Sequence, residues 1–373
     1  MRIAFRTDAS TQIGTGHVMR CLTLADALAI RGARSVFVCR EHPGHLLELI
    51  RARGHQAIAL PLSDMPHDAH SEIDSAHAQW LGADWASDAQ QTLAALQAEH
   101  VDWLIVDHYA LDARWEKQLA GHCDKLMVID DLADRPHACD LLLDQNWLGT
   151  APDMRYAGLL PERCRTFLGP RYALLAPEYE KLRASMPERD GSIKRILVFM
   201  GGADAGNQTA KVMQALTDPA FEDLAVDVVV GMSHPDPAPI RDAAAKRPAT
   251  TLHQGLPSLA KLMANADLMI GAGGSTAWER MCLGLPAIVI GVAQNQLAIS
   301  HALMSAGYIR FLGKMEAITV DDIAEALRAA LTDSTANRQQ SLRCRALVTG
   351  TGATDLATIL VPKVLPDDAA SCH

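Results

Sequence analysis

The strongest constraint on the fold is an alternation of short apolar runs with longer amphipathic stretches, which continues through most of the chain. The apolar runs predict buried strands, and the amphipathic stretches predict crossover helices, as a parallel sheet requires. One series covers residues 2–143 and a second begins at residue 195. Each half is therefore predicted to be a doubly wound α/β domain with a parallel sheet.

The pattern locates individual elements as well as the two domains. In the first half, the predicted strands are 2–7, 35–39, 56–60, 103–107, 125–129 and 140–143, and the predicted helices are 17–30, 44–53, 83–99 and 113–122. In the second half, strands are predicted at 195–199, 224–230, 250–253, 268–270 and 287–290, with helices starting near 205, 237, 256, 275 and 295 and another at 320–331. Residues 62–78, rich in His and Asp, favour a loop.

The domain boundaries follow from where this alternation stops. Residues 1–165 are predicted to form the N-terminal domain and 191–350 the C-terminal domain. The segment 166–190 loosens into a proline-containing linker. We expect residues 351–373 to pack back on the N-terminal domain, with a polar end that frays.

Composition restricts the classes of partner and compartment. The 373 residues are 49% hydrophobic, enough for two cores, and the net charge of −10 argues against a nucleic-acid or anionic membrane surface. Eight dispersed cysteines lack metal-site or disulfide spacing, and no apolar run approaches the ~20 residues that span a bilayer. We therefore expect a soluble cytoplasmic protein without membrane insertion.

A glycine-rich stretch, residues 13–20, joins the first strand to the first helix. Gly14 and Gly16 allow a tight turn, and the following helix N-terminus would direct unpaired N–H groups toward whatever is bound there. His17 at this position could act on a bound ligand. The alternative is an ordinary strand-to-helix turn whose histidine caps or packs.

Three polar segments follow strands of the first half and are expected at one sheet edge. They are residues 8–17, Asp107-His108-Tyr109 and Asp130-Asp131. The two adjacent aspartates could bind a divalent cation, but successive residues point in opposite directions, which favours a turn or capping role. Tyr109 could hydrogen-bond a sugar or an attacking water, or it could be a half-buried loop aromatic.

In the second half, two glycine-rich strand exits, 199–204 and 271–276, are candidate anion sites at helix N-termini. Neither matches the Walker motif or a dinucleotide fingerprint. Glu279, one turn into the next helix, could accept hydrogen bonds from ribose hydroxyls, or it could simply favour the helix dipole. Asn295 and Gln296 after the following strand offer amides suited to an N-acetylated sugar, although Asn295 could merely cap a helix.

Taken together, these motifs resemble the GT-B glycosyltransferase architecture, notably the lipid II-forming N-acetylglucosaminyltransferase. The glycine loop with His17, Gly201-Gly202, and the stretch from Gly273 to Pro286 carry this resemblance. A narrower similarity, over residues 2 to about 310, is to the hydrolases of UDP-2,4-diacetamido-2,4,6-trideoxy-β-L-altropyranose in pseudaminic acid biosynthesis. Segments 6–21, 106–109, 129–131 and 139–143 carry that similarity.

The resemblance implies a GT-B-like α/β fold, two doubly wound parallel-sheet domains facing an inter-domain cleft. It also implies metal-independent hydrolysis of a UDP-linked 2,4-diacetamido sugar to UDP and free sugar, without a cofactor. The implied catalytic residues are His17 as the base, Tyr109 and Asn295. The predicted substrate-binding residues are Gly14, Gly16, Arg20, Gly201, Gly202, Gly274, Ser275, Thr276, Glu279 and Gln296.

Two other functions use the same features. A glycosyltransferase could use the same base to deprotonate an acceptor alcohol instead of water. A catalytically silent protein could bind a nucleotide sugar and leave it intact.

Overall fold

The structure is a computed structural model, and it divides the chain into two compact units. It describes residues 1–62, 77–97, 99–147, 149, 154–204, 206–274 and 276–362. One unit comprises Met1–Leu174 and Thr351–His373, and the other comprises Leu175–Gly350. The predicted loop at 62–78 and the polar tail lie largely outside the described residues.

The first unit is built on a parallel sheet. Its strands are β1 Arg2–Thr7, β2 Arg34–Arg40, β3 Gln56–Leu60, β4 Val101–Asp107, β5 Cys123–Ile129, β6 Leu141–Asp144 and β7 Arg165–Leu168. Its helices are α1 Gly16–Ile30, α2 Leu47–Ala52, α3 Trp85–Leu96, α4 Ala113–Leu119 and α13 Gly352–Leu360. The strand order is β3-β2-β1-β4-β5-β6-β7. Its topological switch point lies between β1 and β4, because β2 and β3 are added on one side of β1 and β4 to β7 on the other.

The last helix completes this unit. Leu356 and Leu360 of α13 are buried in the same apolar core as Leu24 and Leu28 of α1. The Trp103 indole N–H donates to the Leu360 carbonyl oxygen at 3.2 Å, which satisfies a polar group that would otherwise be buried without a partner. Residues close to the end of the sequence therefore cover a sheet that begins at its start.

The second unit repeats the same architecture with different residues. Its strands are β8 Arg195–Phe199, β9 Ala225–Val230, β10 Thr250–Gln254, β11 Leu268–Ala272, β12 Ala287–Gly291 and β13 Arg310–Lys314. Its helices are α5 Pro177–Ser185, α6 Gln208–Ala215, α7 Ala238–Lys246, α8 Ala260–Asn265, α9 Thr276–Cys282, α10 Leu297–Ser305, α11 Val320–Thr332 and α12 Ser334–Leu347. The parallel order β10-β9-β8-β11-β12-β13 has its switch point between β8 and β11.

The prediction of two doubly wound parallel-sheet α/β domains is confirmed. The segment 166–190, predicted to be a linker, instead contains most of β7 and all of α5, and the chain passes from the first unit to the second between Leu174 and Leu175. Its prolines obscured this order, because Pro177 occupies the first turn of α5, where its missing N–H costs nothing. No helix in the described part of the chain combines the length and apolarity needed to cross a bilayer.

Candidate active site

The first candidate site lies at the carboxyl edge of the first sheet, where β1, β4 and β5 end side by side. The loop after β1 turns at Gly14, whose φ of 83° requires glycine. A methyl group on Gly14 or Gly16 would meet no other atom within 4 Å, so open space adjoins this loop. The loop delivers the chain into α1, which begins at Gly16.

His17 is the second residue of α1 and contacts the end of β4. Its Nδ1 lies 2.6 Å from Asp107 Oδ1, and only 7% of the residue is exposed. The His17 side chain can reach Asp107 because β1 and β4 are neighbouring parallel strands, with Thr7 opposite Asp107. Among the described residues, both polar contacts of the His17 ring, with Asp107 and with Arg20, are made by Nδ1, and Nε2 makes none.

Arg20, predicted to bind substrate, is instead held by two carboxylates of the protein. Its Nε and Nη2 donate to the two oxygens of Asp107 at 2.6 Å each, and Nη1 donates to Asp131 at 3.0 Å. Burial disfavours charge on Asp107, but Arg20 and then His17 hold the pKa of that carboxyl well below its usual range. Asp107 is therefore ionised, and Arg20 holds its carboxylate in place by donating to both oxygens.

Tyr109 lies beside His17, as the order of strand ends suggested. The two rings are 4.5 Å apart and nearly perpendicular, and the Tyr109 hydroxyl donates to Asp131. Burial and then the Asp131 charge raise the pKa of Tyr109 above its usual range, so the phenol stays protonated. The hydroxyl predicted to contact sugar or water is thus hydrogen-bonded to the protein, and the Tyr109 ring packs against His17.

Two aromatic residues next to Tyr109 were not singled out from the sequence. The His77 ring lies 5.3 Å and the Trp80 ring 5.9 Å from the Tyr109 ring. Burial lowers the pKa of His77, which favours its neutral form. They come from the segment directly after residue 76, where no periodic pattern marks an element.

The adjacent aspartates after β5 diverge. Asp130 accepts a hydrogen bond from the Ala133 N–H at 2.9 Å and pairs with Arg135 at 2.9 Å, whereas Asp131 faces Arg20 and Tyr109. Asp130 therefore has the turn role that the sequence favoured over a shared cation. Within the described ranges, no cluster of three His, Cys, Asp or Glu side chains is placed to hold a metal ion.

A second charged network fixes the start of the glycine loop, and sequence reasoning missed it. Asp88 on α3 accepts from Arg6 Nη2 and from Arg40 Nη2, each at 2.6 Å, and Arg6 Nη1 donates to Asp8 at 2.7 Å. All four side chains are fully buried. The available signal was the presence of arginines within β1 and β2, strands whose other residues predict complete burial.

In the second unit, the glycine loop after β8 differs from the predicted anion site. The carboxylate of Asp204 accepts from the backbone N–H groups of Gln208 and Thr209 at 2.8 and 2.9 Å. The expectation that the α6 N-terminus is available to an anion is therefore wrong, because Asp204 already occupies it. Gly201 and Gly202 themselves remain open, since a methyl group on either would meet nothing within 4 Å.

The loop after β11 is bordered by Gln296. The side-chain oxygen of Gln296 accepts from the Val292 N–H at 3.2 Å, and its amide nitrogen lies 3.7 Å from a methyl group placed on Gly274. Thr276 begins α9 and is half-buried. Ser275 and the side chain of Asn295, which the sequence also placed here, lie outside the described part of the chain.

Glu279 lies in the first turn of α9, as predicted, and is half-buried. Burial raises the pKa of Glu279 to about 7, against the opposing effect of a hydrogen bond from Tyr179 on α5. Tyr179 is itself buried. A carboxyl group with this pKa changes its charge near neutral pH, a property that an exposed glutamate paired only with the helix dipole would lack.

The chain is similar in sequence to a known family and to several known proteins. Residues 195–357 match the glycosyltransferase family 28 C-terminal domain. An uncharacterised protein of Methanocaldococcus jannaschii is 24% identical over 304 residues, 80% of this chain, which spans only 56% of that relative's length. The UDP-2,4-diacetamido-2,4,6-trideoxy-beta-L-altropyranose hydrolase of Campylobacter jejuni is 25% identical over 83% of this chain and 98% of its own.

The solved structures show the same fold at lower identity. The crystal structure of MurG from Acinetobacter baumannii superposes with a TM-score of 0.65 and 13% identity, covering 96% of this chain and 98% of that one. This likeness and the two parallel-sheet units confirm the GT-B-like fold. The chain thus has a GT-B-like fold, and it is similar to a glycosyltransferase family in its C-terminal domain and to a UDP-sugar hydrolase over most of its length.

Proposed function

We propose that the protein hydrolyses a UDP-linked 2,4-diacetamido sugar to UDP and the free sugar. The observation that carries this proposal is His17, held against Asp107 at 2.6 Å beside open space at the glycine loop. A fixed imidazole of this kind can take a proton from a water molecule as that water attacks. In the family that the sequence resembles, a histidine at this position is expected to be the base.

The proposal assigns the nucleotide to the second unit. Gly201, Gly202 and Gly274 would offer backbone N–H groups to the pyrophosphate, with Ser275 and Thr276 beside them, and Glu279 would accept hydrogen bonds from ribose hydroxyls. Gln296 and Asn295 would contact the substrate. The match of residues 195–357 to a glycosyltransferase C-terminal domain supports a nucleotide-binding role for this unit.

The proposal also specifies the sugar and the cellular compartment. UDP-2,4-diacetamido-2,4,6-trideoxy-β-L-altropyranose, or a close relative, is proposed because of the 25% identity with the enzyme named for it. Pseudaminic acid biosynthesis in the cytoplasm is the corresponding setting.

In the proposed reaction, water attacks the anomeric carbon, the bond from that carbon to the UDP oxygen breaks, and His17 receives the proton. UDP is a good leaving group when its charge is neutralised, so a dedicated carboxylic acid is less necessary than for an alkyl glycoside. One base without a covalent nucleophile predicts inversion at the anomeric carbon. Tyr109 would act through its ring, since its hydroxyl is engaged by Asp131.

A glycosyltransferase is the second candidate, and the family 28 domain favours it. UDP release from the proposed substrate, measured with the purified protein and no acceptor, separates the candidates. A hydrolase turns over steadily under these conditions. Release only after an acceptor alcohol is added would indicate a transferase, and a substrate that binds but stays intact would indicate a silent binding protein.

A further inference from the structure

Two of the cysteines that are dispersed in the sequence come together in the first unit. Cys139 precedes β6 and Cys164 precedes β7, 25 positions further along the chain, and their sulfur atoms lie 3.5 Å apart. Both thiols are free. The sequence spacing gave no sign of this pair, because it is the parallel pairing of β6 with β7 that brings the two residues together.

The backbone pairing lets these two sulfur atoms bond. Leu141 lies opposite Arg165, and the Arg165 N–H donates to the Asp140 carbonyl oxygen at 2.9 Å, so Cys139 is offset by one residue from the position opposite Cys164. Neighbouring strands lie about 4.8 Å apart and one residue spans about 3.3 Å, which places the two Cα atoms about 6 Å apart. A disulfide joins Cα atoms about 4.4–6.8 Å apart, with its sulfur atoms about 2 Å apart. Side-chain rotation therefore suffices to close the gap.

The two thiols differ in access and in acidity. Cys164 is half-buried between the exposed Arg163 and Arg165, whereas Cys139 is buried. The hydrogen bond from the Cys139 thiol lowers the pKa of Cys164, and the same contact, together with burial, raises the pKa of Cys139. An accessible thiol with a lowered pKa is the one that attacks a disulfide, and the buried thiol beside it is placed to attack second.

We infer that Cys164 and Cys139 form a reversible disulfide by exchange with a small-molecule disulfide such as oxidised glutathione, and that this bond stabilises the first unit. The Cys164 thiolate attacks one sulfur of the small disulfide and releases one small thiolate. The Cys139 thiol then loses its proton and attacks Cys164 Sγ, which releases the second small thiol. Two protein thiols and one small disulfide thus give one protein disulfide and two small thiols.

The bond would act on stability and is independent of the proposed function. It joins the segments at the amino ends of β6 and β7, whereas His17 lies at the carboxyl edge of the same sheet. A cross-link between positions 25 residues apart restricts the unfolded chain, which is how a disulfide stabilises a fold. The oxidised protein is therefore expected to melt about 5–10 °C above the reduced protein.

The test equilibrates the purified protein with mixtures of reduced and oxidised glutathione, alkylates the remaining thiols and identifies cross-linked peptides by mass spectrometry. Wild type is expected to lose two free thiols and to yield a link between Cys139 and Cys164 that excess reductant reverses. Cys139→Ser should instead retain glutathione on Cys164, because no thiol remains to displace it.

Cys123→Ser is the matched control. Cys123 is also half-buried, but burial raises its pKa to about 11, and its thiol contacts the Leu119 carbonyl oxygen instead of another thiol. This variant should form the cross-link as wild type does. Free thiols at both Cys139 and Cys164 in oxidised wild type, or a lasting glutathione adduct on Cys164, would overturn the inference. Equal melting temperatures for reduced and cross-linked wild type would overturn the stabilising effect.

Discussion

The two candidate regions differ in how their polar groups are satisfied. At the carboxyl edge of the first sheet, hydrogen bonds join His17 to Asp107 and join Arg20 to both Asp107 and Asp131, and Tyr109 donates to Asp131. In the second unit, by contrast, the loops at Gly201-Gly202 and Gly273-Gly274 carry few side chains. A prearranged charged cluster suits chemistry, since it need not reorganise during reaction, whereas open backbone suits binding of a phosphorylated ligand.

The substitution expected to have the largest effect is His17→Ala. Loss of the base should reduce kcat by about 10²- to 10⁴-fold, while UDP affinity measured by calorimetry stays near wild type. His100→Ala is a matched control, because the His100 side chain is 66% exposed and its only polar partner among the described residues is the exposed Asp124. A kcat for His17→Ala close to wild type would remove the proposed base.

A substitution in the second unit should affect binding of UDP and not the chemical step. Glu279→Ala should weaken UDP binding about 10- to 100-fold, corresponding to about 1.5–3 kcal/mol for a hydrogen bond to a charged group. Glu325→Ala on the exposed face of α11 serves as the control. Unchanged calorimetric affinity would return Glu279 to the role of a helix-dipole partner.

A pair of alanine substitutions tests whether the open backbone depends on close packing beneath it. A methyl group on Gly231 would lie 2.0 Å from the Gly202 carbonyl oxygen, whereas one on Gly202 would meet nothing within 4 Å. Gly231→Ala should therefore lower the free energy of unfolding by about 1–3 kcal/mol and weaken UDP binding. Gly202→Ala should unfold near the wild-type temperature. Equal melting temperatures for both variants would contradict the packing account.

The smallest expected effect is a pH dependence of UDP binding. Because burial raises the pKa of Glu279 to about 7, its carboxyl gains charge as pH rises through that value and accepts hydrogen bonds better. The ratio of Kd in Glu279→Gln to Kd in wild type should rise several-fold from about one unit below to one unit above pH 7. Taking the ratio cancels the titration of UDP itself, and a flat ratio would exclude this carboxyl as the cause.

Much of the fold could be predicted because parallel strands leave a periodic signal. The strands Arg2–Thr7, Gln56–Leu60 and Arg195–Phe199 begin and end where the apolar runs do. By contrast, β13 at Arg310–Lys314 was missed, because an edge strand is half-buried and Gly313 at a φ of 120° interrupts its pattern. Helix α12 was missed because most of its residues are polar.

The site was predictable only to the level of strand ends. Topology alone places His17, Tyr109 and Asp131 at one edge, since β1, β4 and β5 are neighbours. The pairing of Arg20 with two carboxylates, and the capping of α6 by Asp204, depend on side-chain directions that spacing does not encode. Arg20 and the α6 N-terminus were therefore predicted to bind a ligand, whereas in the structure both make contacts within the protein.

The most direct test of the account is hydrolysis of the UDP-linked diacetamido sugar in H₂¹⁸O without an acceptor, followed by mass spectrometry of both products. Attack of His17-activated water at the anomeric carbon predicts the label in the free sugar and unlabelled UDP. Label in the phosphate of the nucleotide would contradict that account, because water would then have attacked phosphorus instead of carbon.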